Sequence, residues 1–402
     1  MMPGGRLTTS PFFFFFFYLL NAVYCQDLSG PVFIQEPPNN VDFSNSTGTE
    51  IICQARGSPF PSISWTKSDG TPIGTIPGLR QVLENGNLIL PPFRATDYKQ
   101  EVHAQTYRCQ SENELGKIIS RDVHVRAVVS QDYELDVFKT NILLNNDALV
   151  GCVVPSHVGD MLEVQGWVDS EGVELGAGLG RTQFDGKYVV LPSGELQIRN
   201  VTAEDGFKTY KCRTKHRLTG ETKLSATAGR LVITEPVGGS APKFPSETDL
   251  SRLTHKEGNP LRLTCPAQAS PLPSFRWYKF QEGTTIKKPV KLDDRVKQVG
   301  GTLIILEAQV EDSGKYLCMV NNSVGGESVE TVLTVTAPLS AEVEPKQQVV
   351  DYGRSATFKC NYKGNPIKQV YWLKDGVNIG HSDKVLRIDS VKKEDKGMYQ
   401  LV

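Results

Sequence analysis

Cysteine and tryptophan alternate along this chain in one recurring order, and that order constrains the fold more than any other feature of the sequence. The successive sets are Cys53, Trp65 and Cys109; Cys152, Trp167 and Cys212; Cys265, Trp277 and Cys318; and, without a second cysteine, Cys360 and Trp372. Each tryptophan follows the first cysteine of its set by 12, 15, 12 and 12 positions. A repeat of this kind in 402 residues predicts four successive modules of roughly 100 residues each.

The same order is typical of an immunoglobulin-like β-sandwich. Strands B and F of that fold face each other across the core and carry a disulfide, and strand C places a tryptophan against it. We therefore predict one bridge within each of the first three sets, each stabilising its module by roughly 4 kcal/mol. Cys360 is predicted to be unpaired, because Leu401 stands where the fourth set needs its second cysteine. A structural zinc site is disfavoured, because such sites need closely spaced cysteine pairs.

A tyrosine precedes each second cysteine, and also Leu401, by two positions. These residues are Tyr107, Tyr210, Tyr316 and Tyr399. They predict tyrosine corners, in which the hydroxyl bonds back to the main chain, and with the four tryptophans they form the predicted core. Upstream apolar segments predict the E strands at 87–90, 195–198, 302–305 and 385–388.

The first 25 residues read as a secretory signal. Arg6 supplies a positive charge, the stretch from Phe12 to Leu20 is apolar, and a cleavage site is predicted after Cys25. An apolar run this short does not reach the roughly 20 residues that span a bilayer, and we expect no transmembrane segment elsewhere. The sequence therefore predicts an extracellular chain, in which disulfides persist.

The repeats and their joints predict the domain limits. These are a signal peptide over 1–25, immunoglobulin-like domains over 31–129, 131–235, 243–336 and 338–402, and a flexible linker over 236–242. The linker is rich in glycine and proline and shows no strand pattern. It allows two arrangements, a chain folded back on itself or an extended rod.

Composition and motifs argue against several classes of function. Lys and Arg number 44 against 45 Asp and Glu, so no global field favours nucleic acid. The sequence contains no HExxH or GxSxG motif, and we expect neither an enzyme nor a cofactor. A basic segment that includes Lys211, Arg213 and Lys215 favours a solvated face over a contact with heparan-like polyanions. Glycosylation sequons occur at Asn45, Asn200 and Asn321.

Longer segments carry a family resemblance. Residues 53–65 and 360–372 resemble the I-set family of immunoglobulin domains, and residues 191–200, 210–222 and 311–328 are similar to the Down syndrome cell adhesion molecule (Dscam) family of invertebrate type. The resemblance implies tandem domains folded back as a horseshoe. It also implies homophilic binding between identical isoforms in neuronal wiring, axon guidance and dendrite self-avoidance. The alternative is a soluble immune-type receptor that binds other surface or foreign ligands. The implied location is secreted, or the plasma membrane for a longer anchored form.

The resemblance also places the homophilic contact. It implies exposed strand edges near the start of domains two and three, at about 136–144 and 250–256, where identical edges can pair. The predicted contact residues are Asp136, Val137, Phe138, Lys139, Thr140, Asn141 and Ile142. Because the fourth F strand has no cysteine and no G strand follows it, we expect domain four to be less stable and its contact with domain one to be weakened.

Overall fold

The computed structural model describes residues 28–175, 184, 186–245 and 252–402. The predicted signal peptide lies outside the described residues. The described chain is all-β, which confirms the predicted fold class. Helix is limited in this part to single turns at Ala95–Asp97, Gln100–His103, Gly159–Met161, Ala203–Phe207, Val310–Asp312 and Lys393–Asp395.

Domain one is a sandwich of ten strands. They are β1 Ser29–Gln35, β2 Asn40–Ser44, β3 Thr49–Ile51, β4 Gln54–Ser58, β5 Ser62–Lys67, β6 Gln81–Val82, β7 Leu88–Leu90, β8 Ala104–Asn113, β9 Gly116–Ile119 and β10 Val123–Val128. One layer contains β1–β4 and β3–β7–β6, and the other has the order β2–β10–β8–β5 with β9 beside β8.

Domain two repeats this plan. Its strands are β11 Thr140–Leu143, β12 Ala148–Val150, β13 Leu162–Asp169, β14 Glu174–Leu175, β15 Tyr188–Val190, β16 Leu196–Ile198, β17 Thr209–His216, β18 Thr222–Leu224 and β19 Gly229–Thr234. The larger sheet has the order β11–β19–β17–β13–β14 with β18 beside β17, and the smaller one is β12–β16–β15.

Domains three and four share a strand. Domain three contains β20 Ser240–Lys243, β21 Arg252–Lys256, β22 Leu261–Leu263, β23 Gln268–Ser270, β24 Ser274–Phe280, β25 Lys287–Pro289, β26 Val296–Val299, β27 Thr302–Ile305, β28 Gly314–Asn321 and β29 Gly326–Glu344. The strand β29 continues into domain four, where it pairs with β30. The remaining strands are β30 Ala356–Asn365, β31 Trp372–Lys374, β32 Val377–Asn378, β33 Val385–Ile388 and β34 Tyr399–Leu401.

The predicted linker over 236–242 is wrong in its last part. Ser240–Lys243 forms β20, which pairs with β23 of domain three. The strand forms because its main chain lies along the first layer of that sandwich, and Asn322 Nδ2 also donates to Ser240 O at 2.8 Å. The joint without strand structure is therefore shorter than the sequence indicated.

Each core is built around a tryptophan whose ring nitrogen is satisfied by the main chain. Trp65 and Trp167 donate to Gly86 O at 2.7 Å and Gly194 O at 2.8 Å. Trp277 and Trp372 make equivalent bonds to Gly301 O and Asp383 O. The structure contains the bridges Cys53–Cys109, Cys152–Cys212 and Cys265–Cys318, and Cys360 is a buried free thiol.

Three of the four tyrosines form a corner. The hydroxyls of Tyr107, Tyr316 and Tyr399 donate to the main-chain oxygens of Val102, Asp312 and Asp395. Tyr210 departs from the prediction, because its buried hydroxyl has no hydrogen-bond partner within the described residues. Its ring packs at 6.2 Å from that of Tyr188, and burial raises its pKa.

Candidate recognition surface

Domains two and three are joined by side-chain amides that bind the main chain of the facing domain. Gln268 Nε2 donates to Asn141 O at 3.2 Å and its Oε1 accepts from Leu143 N at 2.9 Å. Asn146 of domain two binds domain three in the same way: its Oδ1 accepts from Ala269 N and its Nδ2 donates to Ala269 O, both at 3.0 Å. We call this arrangement an amide clamp. It satisfies main-chain groups that a sheet edge leaves unpaired.

An apolar cluster and an ion pair extend this junction. Val189 and Leu191 of domain two pack against Val299 and Ile304 of domain three, and all four are buried. Beside them Arg262 forms an ion pair with Glu195. Burial alone would raise the pKa of Glu195, but the hydrogen bonds and charge of Arg262 outweigh it and hold that pKa below its ordinary value. Domains two and three therefore form one packed unit.

Domains one and four meet through a second amide clamp. Gln400 of β34 accepts from Ile119 N and donates to Ile119 O, both at 3.0 Å. Beside it Asp375 Oδ1 accepts from Lys117 N at 3.1 Å and from Met398 N at 2.9 Å. The main chain of Gly116 approaches Asp375 and Met398 so closely that a Cβ atom there would lie 2.5 Å from the carboxylate.

The two junctions close the four domains into a horseshoe. The fold-back arrangement is thereby confirmed, and the extended rod is excluded. The expected weakening of the contact between domains one and four stays a prediction, but the contact itself is present and uses the side chains of Gln400 and Asp375. Neither element depends on a fourth disulfide.

The chain at the start of domain two crosses from one sheet to the other. Asp136 forms an antiparallel bridge to Val153, whereas Thr140 begins β11, which pairs in parallel with β19. Odd-numbered residues point into the core before the crossing and even-numbered residues after it. Two consecutive residues, Phe138 and Lys139, therefore both face solvent. Phe138 is 63% exposed, so its ring is accessible to a partner.

Two of the seven predicted contact residues must be corrected. Val137 and Ile142 are 2% and 3% exposed, because they point into the core, and cannot touch a partner. Asp136 is half-buried and its carboxylate accepts from the Thr227 hydroxyl within its own domain; its role in the contact stays a prediction.

The remaining contact residues form a smaller surface. Thr140 is half-buried, and Phe138, Lys139 and Asn141 present a continuous surface that we call the crossover patch. Gln268 already occupies the main chain from Asn141 to Leu143, so the free sheet edge is shorter than predicted.

The second predicted edge, at about 250–256, lies partly outside the described residues. Arg252–Lys256 forms β21, which pairs in parallel with β29. No sequence pattern marks Gln268, Asn146, Asp375 or Gln400, because each binds a residue more than 100 positions away.

The three sequons differ in how their amides are used. Asn45 Nδ2 donates to Phe93 O at 3.1 Å, and its Oδ1 accepts from Ser130 N at 3.0 Å at the joint with domain two. Asn200 and Asn321 are exposed.

The described residues contain no group of three or more potential metal ligands. No helix among them is long and apolar enough to cross a membrane.

Comparison with known proteins gives the family. Residues 242–335 match the immunoglobulin I-set domain model and residues 340–402 an immunoglobulin domain model. The chain is 62% identical over 374 residues to cell adhesion molecule Dscam1 of Drosophila melanogaster, which covers 93% of this chain. It is 32% identical over 391 residues to human cell adhesion molecule DSCAM, which covers 94% of it. The chain spans 18% of the length of each of these relatives.

Solved structures agree with the sequence comparison. The N-terminal four immunoglobulin domains of Dscam1 isoform 7.44 superpose with a TM-score of 0.89 at 61% identity, covering 93% of this chain and 95% of that one. A structure described as the structural basis for Dscam isoform specificity superposes with a TM-score of 0.87 at 62% identity, with the same coverage. The chain therefore belongs to the Dscam family of immunoglobulin-domain cell adhesion molecules.

Proposed function

We propose that this chain is a cell-surface or secreted recognition module that binds a second copy of itself through the crossover patch of domain two. The observation that carries the proposal is the exposed Phe138 beside Lys139, at the end of a sheet edge that is held rigid by the clamp to domain three. Exposed aromatic side chains on a preorganised surface are the usual anchors of protein interfaces. Similarity to the cell adhesion molecule Dscam1 and to a structure that gives the basis for Dscam isoform specificity supports adhesion.

The geometry suits a symmetric contact. Two copies of one patch related by a two-fold axis contact the same residues on both sides. The Lys139 side chain would face the partner's main-chain oxygens at the free edge, and Phe138 would pack against its own copy. Family resemblance extends this contact to neuronal wiring and self-avoidance.

Sedimentation equilibrium of the glycosylated chain tests the proposal. Phe138→Glu places a charge at the centre of the patch, and we expect the dimer dissociation constant to rise at least about 30-fold, since an interface anchor contributes roughly 2 kcal/mol or more. Phe60→Glu is the matched control, because Phe60 is 83% exposed on domain one, outside the patch. It should leave the dimer intact.

The alternative is a soluble immune-type receptor that binds heterotypic ligands. A wild-type chain that stays monomeric at high concentration, or a dimer that Phe138→Glu leaves unchanged, would contradict homophilic binding through this patch. Retention of non-self ligands by such a monomer would then favour the receptor.

A further inference from the structure

Domain two presents a strip of positive charge on the outward face of its larger sheet. Along β17, Lys211, Arg213 and Lys215 alternate with buried residues and therefore point to the same side. A rise of about 3.3 Å per residue places successive cations about 7 Å apart. Arg230 of the neighbouring strand β19 is exposed and lies opposite Thr209, on this same face. We call these four residues the basic strip.

The strip has few negative neighbours. Arg213 pairs with Glu174 at 2.6 Å, and Glu163 lies across from Lys215 in the register of β13 and β17. Within the part of the chain that the structure describes, Lys211, Lys215 and Arg230 form no ion pair. The strip therefore leaves a local excess of positive charge, although the whole chain has a net charge of −1.

The other domains show that the sandwich does not require these cations. At the positions of Lys211 and Arg213 relative to the second cysteine, domain three has Leu317 and Met319. Domain one has Arg108 at the first of these positions, but it is neutralised by an ion pair with Asp122. The unpaired charge of domain two is thus a property of this surface and not of the fold.

His216 belongs to the same basic segment but not to the strip. It is buried, and its Nδ1 accepts from the main-chain N–H groups of Leu218 and Thr219. The hydrogen bonds, the ion pair and the apolar cluster of the two horseshoe junctions use none of the four strip residues. None of the four therefore takes part in closing the horseshoe; Lys215 and Arg230 are exposed, and Lys211 and Arg213 are half-buried.

We infer that the basic strip binds a sulfated polysaccharide of the heparan type. A row of cations at regular spacing on a flat sheet fits a linear polymer with a sulfate or carboxylate on each sugar. The disulfides place the domain in an oxidising, extracellular environment, where such polymers occur. Lys211, Arg213 and Lys215 lie on β17, which is not part of the crossover patch. Arg230 borders that patch, because the next residue, Leu231, pairs with Thr140.

Binding of the full chain to immobilised heparin tests the inference. The strip variant replaces Lys211, Arg213 and Lys215 by glutamine, and the matched control replaces Lys287, Lys288 and Lys291 of domain three by glutamine. Both variants change the net charge equally. We expect the strip variant to raise the apparent Kd about tenfold or more at physiological salt, because binding to a polyanion is driven by counterion release at each contact. The control should bind like the wild type.

Several outcomes decide the matter. An equal loss of heparin affinity in both variants would show that binding follows net charge. Unchanged heparin affinity in the strip variant would place the binding site elsewhere. Either result overturns the inference. Desulfated heparin should fail to compete, whereas wild-type binding to phosphatidylserine vesicles as tight as to heparin would overturn the polysaccharide assignment in favour of a membrane surface. Thermal melts check folding, which we expect to be intact because domain three has the uncharged residues Leu317, Met319 and Asn321 at the equivalent positions.

Discussion

Removing the amide clamp between domains one and four should open the horseshoe measurably. Gln400→Ala deletes both hydrogen bonds to Ile119, each 3.0 Å long. A hydrogen bond of this type contributes about 1 kcal/mol net, so closure should weaken by about 2 kcal/mol. At 1.4 kcal/mol per factor of ten, the ratio of closed to open molecules should fall roughly 30-fold.

Fluorescence energy transfer between dyes at Asp69 and Val349, which are both exposed, reports this equilibrium. A urea titration brings the wild type to half opening, and the shift of that midpoint measures the free energy. Gln348→Ala is the matched control, because Gln348 donates only to Thr357 O inside domain four. A midpoint that is the same for Gln400→Ala as for this control would refute the assignment of closure to the clamp.

Three further outcomes are expected. Glycopeptide mass spectrometry should find glycans at Asn200 and Asn321 but not at Asn45, whose amide is bound to Phe93 and Ser130; a fully occupied Asn45 would contradict this. Leu401→Cys should form a disulfide with Cys360 and stabilise domain four by about 4 kcal/mol. The reason is that Leu401 lies opposite Trp372 in the sheet, just as Cys109 lies opposite Trp65 in domain one. A free-thiol count of two would show that the disulfide is absent. Because the pKa of Glu195 is lowered in the folded state, its contribution to stability is complete above the ordinary value of 4.5 and is lost as pH falls through the folded-state pKa. Calorimetry should therefore show that Glu195→Gln loses less stability on acidification than the wild type. An equal loss in both proteins would argue that the ion pair with Arg262 is not the source of the acid destabilisation.

The architecture of the single domains could be predicted from sequence, because cysteine, tryptophan and tyrosine occupy fixed positions around one core. Tyr210 shows the limit of that pattern, since the corner bond also depends on where the preceding turn places its carbonyl oxygens. The contact residues were harder to predict. Side chains that point into the core are odd-numbered up to Val137 and even-numbered from Thr140 on. An unbroken alternation of buried and exposed residues therefore assigns Ile142 to the wrong face.

The side chains that form the two junctions could not be predicted. Gln268, Asn146 and Gln400 are ordinary polar residues in sequence, and only tertiary structure brings them to main-chain groups of another domain. No periodicity or motif marks a side chain whose partner is a peptide group. For such contacts the relevant information is the path of the chain, which short-range patterns do not contain.

The strand β29 has a mechanical consequence. Its 19 residues form about 60 Å of unbroken backbone that belongs to two sandwiches at once. Tension applied to domain four along this strand would load its hydrogen bonds with β28 in parallel, as shear, instead of one at a time. Domains three and four should therefore move together under tension, and we expect the contact between domains one and four to break first.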